Sequence, residues 1–204
     1  KLFYTTASTY MWRRDGGGVS EVRQEQGGEQ GDPLMPGLFS IALHPALVGT
    51  EQELNARGIV HQIYAYLDDV YIWVQDRSKA REAYDVLKQK LQEGPGIEVN
   101  RGKTAVWGEN AQAPPGWEDM PGAWCGGRGL RVLGAPVGSV DFVREFLRAK
   151  AGKDGEFLSE IEEYARVMND PQVAYQLLKF CAVPRANHLC RTVPPSLLQG
   201  YAEE

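Results

Sequence analysis

Two adjacent carboxylates, Asp68 and Asp69, stand between two runs of aromatic and branched apolar residues, Ile63-Tyr64-Ala65-Tyr66-Leu67 and Val70-Tyr71-Ile72-Trp73-Val74. Like charges about 5 Å apart repel by roughly 3 kcal/mol at an effective dielectric of ~20. An Asn-Gly or Asp-Gly turn would reverse the chain without that repulsion. Hard divalent cations relieve it, and Mg²⁺ typically takes one or two carboxylates together with substrate phosphates. The pair therefore points to phosphoryl-transfer chemistry at a metal site, with a plain hairpin tip as the alternative. The flanking runs suit a pleated, half-buried surface. They predict a tight antiparallel hairpin with Asp68 and Asp69 as its turn residues.

Other elements must hold that hairpin. Ser8 to Arg14 and Val19 to Glu25 are strand candidates joined by the turn signal Asp15-Gly16-Gly17-Gly18. Asp32 followed by Pro33 predicts a helix N-cap with proline at the first helical position. Leu34, Leu38, Ile41 and Ala42 recur at helical spacing and are expected to face the core, and Pro45 is expected to kink or end that helix. Ser78 can cap a helix that carries Ala83, Val86, Leu87 and Leu91 on one face and stops at Gly94. Ile97, Val99 and Thr104 to Trp107 read as short strands around Asn100-Arg101-Gly102-Lys103. Glu109 to Gly129 is rich in Pro and Gly and reads as a long surface loop, and Leu130 to Val137 as a last strand. After Ser139 three apolar stripes follow at helical spacing. They are Phe142, Val143, Phe146 and Leu147; then Leu158, Ile161, Ala165 and Met168; then Ala174, Leu177, Leu178 and Cys181 behind Asp170-Pro171. The fold class is α+β. Residues 1–138 form a mixed domain and 139–204 a small helical region.

Composition bounds what such a chain does. Its 204 residues suffice for a sizeable core. The 22 Lys and Arg against 27 Asp and Glu give a net charge of −5, which argues against a stand-alone nucleic-acid binder but not against a polymerase with an acidic site. No apolar run approaches a membrane span and the N-terminus has no signal-peptide pattern. Cys125, Cys181 and Cys190 form no C-x-x-C pair and match no zinc spacing even with His188, so reduced thiols in a nuclear or cytoplasmic, intracellular protein are expected.

In chain order the sequence contains Gln30-Gly31-Asp32-Pro33-Leu34, Tyr66-Leu67-Asp68-Asp69, Gly96-Ile97-Glu98-Val99-Asn100 with Lys103, and Leu133-Gly134. These resemble the QGDPLSP-type, YxDD, G-hydrophobic-x-hydrophobic-N-x-x-K and LG motifs of the reverse transcriptase domain of non-LTR retrotransposons. The stretch from Asp170 to Ala174 resembles the region after the palm, where a helical thumb is expected.

The resemblance implies a palm-type antiparallel sheet with packed helices over 1–138 and a thumb-like region over 139–204. It implies RNA-directed DNA polymerisation with an RNA template, a DNA primer and deoxynucleoside triphosphates, dependent on Mg²⁺ or Mn²⁺. By the same resemblance Asp68 is the principal metal ligand with Asp69 beside it. Gln30 and Gly31 lie against nucleotide and template, and Tyr66 borders the primer. Lys103 sits near the triphosphate, and Leu133 and Gly134 belong to the hairpin that grips the primer end.

Two departures stand out. Met35 occupies the usual serine position, and the upstream motif with another metal-binding Asp has no counterpart, since Asp15 lies in a glycine-rich turn. The fingers are absent too, so a polymerase fragment or decayed copy is expected, inactive on its own. The rival readings are a catalytically inactive module that binds RNA or protein, and an RNA-dependent RNA polymerase. The latter usually has Gly where this chain has Leu67.

Overall fold

The computed structural model describes residues 8–24, 31–110 and 112–203. Among the described residues three two-stranded sheets alternate with helices, in agreement with the expected α+β class. Among the described residues each sheet is a separate hairpin. The chain divides into two compact units, Lys1–Trp73 with Val86–Glu98 and Val74–Asp85 with Val99–Glu204.

The first unit opens with β1 (Ser8–Arg13) and β2 (Val19–Gln24), antiparallel in a register from Ser8↔Gln24 to Arg13↔Val19. The glycine-rich turn closes as its residues predict, with the amide of Arg14 donating to Gly18 O at 2.8 Å. Helix α1 spans Met35–Ala56. Asp32 does not cap it as expected. Its Oδ1 accepts from the Leu34 amide at 2.8 Å, a local Asx turn that delays the helix until Met35. Nor does Pro45 break α1. The lost backbone bond and ring clash cost about 3 kcal/mol. Burial of Leu43 and Ala46 close to the proline and of Thr50 and Leu54 beyond it offsets this.

The expected core stripe on α1 is also corrected. Leu34, Leu38 and Ile41 are exposed by 63%, 41% and 71%, because the buried stripe starts only at Leu43, beyond the first two turns. At Ala46 and Gly49 α1 meets the end of helix α2 (Ala80–Glu93), where a Cβ on Gly49 would lie 3.5 Å from Lys90 Cδ. Val86, Leu87 and Leu91 of α2 are buried as expected. Between these helices run β3 (His61–Tyr66) and β4 (Asp69–Val74), paired to each other. A two-residue connection makes the pair antiparallel.

In the second unit a 3₁₀ turn, Arg77–Lys79, leads into α2. Asp76 caps this 3₁₀ turn, accepting from the Ser78 amide at 2.9 Å, and Ser78 lies within the turn. Residues 96–107 form no strand, only a single bridge from Val106 to Trp124. The predicted surface loop is in fact packed. Trp117, Met120 and Ala123 are buried with Tyr84 of α2, and the indole lies 5.2 Å from the Tyr84 ring. The last strand candidate is a hairpin, β5 (Gly129–Val132) with β6 (Ala135–Gly138).

Helix α3 (Val140–Met168) is capped by Ser139 and absorbs the first two stripes. Val143 and Leu147 are buried with Leu189 and Val193, whereas Leu158 and Met168 are exposed. Asp170 caps α4 (Pro171–Leu177), and a π turn, Leu178–Ala182, and a 3₁₀ turn, Val183–Ala186, precede α5 (Asn187–Thr192) and α6 (Pro195–Glu203).

Asp154 ties three of these segments together. Its carboxylate accepts from Lys150 Nζ in α3, from Arg185 Nε at 2.6 Å, and from Tyr201 Oη in α6 at 2.8 Å. Burial works to raise the Asp154 carboxyl, yet the bonds from Lys150, Tyr201 and Arg185 outweigh it and hold the group low. Burial and then the bond to Asp154 push the Tyr201 phenol up to about 12. A raised native value stabilises the protein below the unfolded pKa of about 10 and is lost as pH rises through the native one. Thermal unfolding is therefore expected to show falling stability between about pH 10 and 12. Tyr201→Phe should flatten that decline, and an identical decline in the variant would contradict the assignment.

Candidate functional site

The carboxylate pair sits at the tip of the β3–β4 hairpin, but the turn is one residue out of the expected register. Leu67 and Asp68 occupy the turn, and Asp69 is the first residue of β4. Leu67 has φ 53°, while Asp68 is not among the residues with positive φ. Positive φ at the first central residue alone is the pattern of a type II′ turn, a position that favours Gly. A leucine there is strained by about 1–2 kcal/mol. Both aspartates are exposed, as is Tyr66, which ends β3 at 61% exposure. The hairpin thus presents Tyr66, Asp68 and Asp69 together to solvent.

Gln30 lies outside the described residues. Gly31 is exposed with φ 98°, and a Cβ there would meet nothing within 4 Å. Its requirement is conformational, setting the approach to the Asp32 turn and α1.

Lys103, Leu133 and Gly134 belong to the second unit. Asn100 organises the turn that carries Lys103. Its carbonyl accepts from the amides of Lys103 and Thr104, both at 3.1 Å, and its Oδ1 from the Gly102 amide at 3.0 Å. Lys103 itself is exposed. Leu133 (φ 48°) and Gly134 (φ 86°) form the two-residue turn between β5 and β6, with positive φ at both positions as a type I′ turn requires. A Cβ on Gly134 would also approach His188 Nε2 of α5 to 3.4 Å.

Sequence reading missed the residues that secure the second unit. Arg81 lies over the rings of Tyr84 and Trp117, 5.7 and 5.4 Å from their centroids. It donates to Gly116 O at 2.6 Å and to the carboxylates of Asp85 and Asp119. The available signal was the apolar spacing Trp117, Met120, Ala123 inside a Pro/Gly-rich stretch, which loop composition masked.

The donor chemistry of the hairpin suits a hard divalent ion, since Asp68 and Asp69 offer two exposed carboxylates on consecutive residues. Among the described residues no group of three or more His, Cys, Asp or Glu is arranged to hold a metal. Cys125, Cys181 and Cys190 are free thiols. No helix among the described residues is long and apolar enough to cross a membrane.

No curated protein and no solved structure gives a significant match to the chain. The family model described as reverse transcriptase (RNA-dependent DNA polymerase) matches residues 2–136, well over half of the 204-residue chain. The matched span contains all four motifs, the Asp68–Asp69 hairpin tip among them, and the chain belongs to the reverse transcriptase family.

Proposed function

We propose that this chain is the palm (1–138) and thumb-like region (139–204) of a non-LTR retrotransposon-type reverse transcriptase, an enzyme whose chemistry is the addition of deoxynucleotides to a DNA primer on an RNA template. The observation that carries this is the strained Leu67 turn, which exposes Asp68 and Asp69 at a hairpin tip within the family-matched span. Strain held at such a position, where Gly would be comfortable, is characteristic of functional sites.

In this reading Asp68 is the principal ligand for Mg²⁺ or Mn²⁺, with Asp69 beside it. A divalent ion held by Asp68 and Asp69 would supply electrostatic stabilisation of the charge that develops in phosphoryl transfer. Lys103 offsets charge on the triphosphate. Gln30 and Gly31 border nucleotide and template, Tyr66 borders the primer, and the Leu133–Gly134 turn supports the primer end. A second reading, an inactive module that binds RNA or protein, draws on one observation. Among the described residues no third carboxylate joins the pair.

Titration of the full chain with a deoxynucleoside triphosphate separates the two. Binding is expected to require Mn²⁺, and Lys103→Gln should weaken it about tenfold, the worth of one charge-assisted hydrogen bond of ~1.4 kcal/mol. Binding indifferent to both Mn²⁺ and Lys103 would support the inactive module.

A further inference from the structure

We propose that Asp119 is a positioning residue for Lys103: anchored by Arg81, its carboxylate clamps Arg101 and so fixes the turn that presents the Lys103 ammonium. The inference rests on the triphosphate role proposed above for Lys103.

The chain of contacts is continuous within the second unit. Arg81 is the fixed end. Its side chain is 24% exposed, it lies over two buried aromatic rings, and its Nε donates to both oxygens of Asp85 at 3.1 and 3.0 Å. The other end of the guanidinium engages Asp119, through Nη1 to Oδ1 and Nη2 to Oδ2 at 3.3 Å. Asp119 Oδ2 also accepts from Arg101 Nη2 at 2.8 Å, and the same Nη2 donates to Asp119 O at 3.2 Å.

Arg101 lies inside the four-residue turn whose amides at 102, 103 and 104 all point to Asn100. The Thr104 hydroxyl closes on the Asn100 carbonyl as well, at 3.0 Å. A turn this short moves as one piece, so holding the Arg101 guanidinium holds the Lys103 Cα.

An isolated surface ion pair would do little, since such pairs contribute about 0–1 kcal/mol. Here the carboxylate is shared by two guanidiniums, one of them immobilised against an aromatic surface, and planar fork contacts fix orientation as well as distance. The arrangement also sorts the charges. Asp119 is neutralised by arginines, and the Arg81 bond, with Arg101 behind it, holds its carboxyl below the usual range. Among the described residues the Lys103 ammonium has no ion pair, so it is left for an anionic ligand.

The test uses the full chain and two readouts. Amide hydrogen exchange at Lys103 and Thr104 is expected to accelerate about tenfold in Asp119→Ala, with α3 unchanged, as local opening becomes easier. Deoxynucleoside triphosphate affinity in Mn²⁺ should fall about fivefold in Asp119→Ala, and no further when that change is added to Lys103→Gln, because both act through one ammonium. Arg101→Gln cuts the same link at a 55%-exposed side chain and should reproduce both effects if Asp119→Ala folds poorly.

Unchanged exchange at both amides in the two variants would overturn the clamp. Fully additive losses of affinity would overturn the route through Lys103. An unaltered affinity in Lys103→Gln would instead remove the triphosphate reading and this inference's functional half, while exchange still decides the clamp.

Discussion

Asp68→Asn is expected to reduce Mn²⁺ affinity of the chain by at least about tenfold and to abolish primer extension wherever the chain supports it. Asn has the shape of Asp and tolerates the same turn, so the substitution removes an anionic donor and little else. Two exposed carboxylates on consecutive residues repel by up to about 1 kcal/mol in water. The melting temperature should therefore stay level or rise slightly with metal absent. Asp69→Asn should be milder, since its neighbour still supplies the main contact in the proposed site. Parent-like Mn²⁺ affinity in Asp68→Asn would contradict the site. Loss of folding together with binding would make Asp68 a turn residue first.

The second large effect concerns a residue far from the motifs. Trp117→Ala is expected to destabilise the second unit by about 3–5 kcal/mol, the usual cost of emptying a buried aromatic site. The ring is 5% exposed, packs on Tyr84, and forms part of the surface under Arg81. Its Nε1 has no hydrogen-bond partner among the described residues, so the loss is one of packing and not of an orphaned polar group. Trp117→Phe should recover part of the loss. Denaturant unfolding followed by exchange across residues 109–129 measures it. A change under about 0.5 kcal/mol, the range for exposed positions, would show that the segment is the surface loop its composition suggested.

That contrast shows what was legible in the sequence. The glycine-rich turn of β1–β2, the α2 stripe and the Ser139 and Asp170 helix starts depend on residues a few positions apart, and they form as read. The hairpin around the aspartates was legible too, but its register was not. Local rules give a left-handed position to Asp before Leu, and the chain does the reverse at Leu67. The α1 stripe failed for a different reason. Leu34, Leu38 and Ile41 have helical spacing, but spacing cannot say where along a helix the core begins. Arg81 and Asp119 were invisible because their partners lie up to 38 positions away. For Lys103, Leu133 and Gly134, the turns are visible in the structure, whereas their roles were read through family resemblance.

The most direct measurement is paramagnetic broadening of backbone amide signals as Mn²⁺ is titrated into the isotopically labelled full chain. Broadening at low Mn²⁺ is predicted to centre on residues 66–70, around the Leu67–Asp68 turn, and to disappear in Asp68→Asn. Broadening centred on the Asp85–Asp119 cluster or on Asp154, or an unchanged pattern in Asp68→Asn, would contradict the assignment of the hairpin as the metal site.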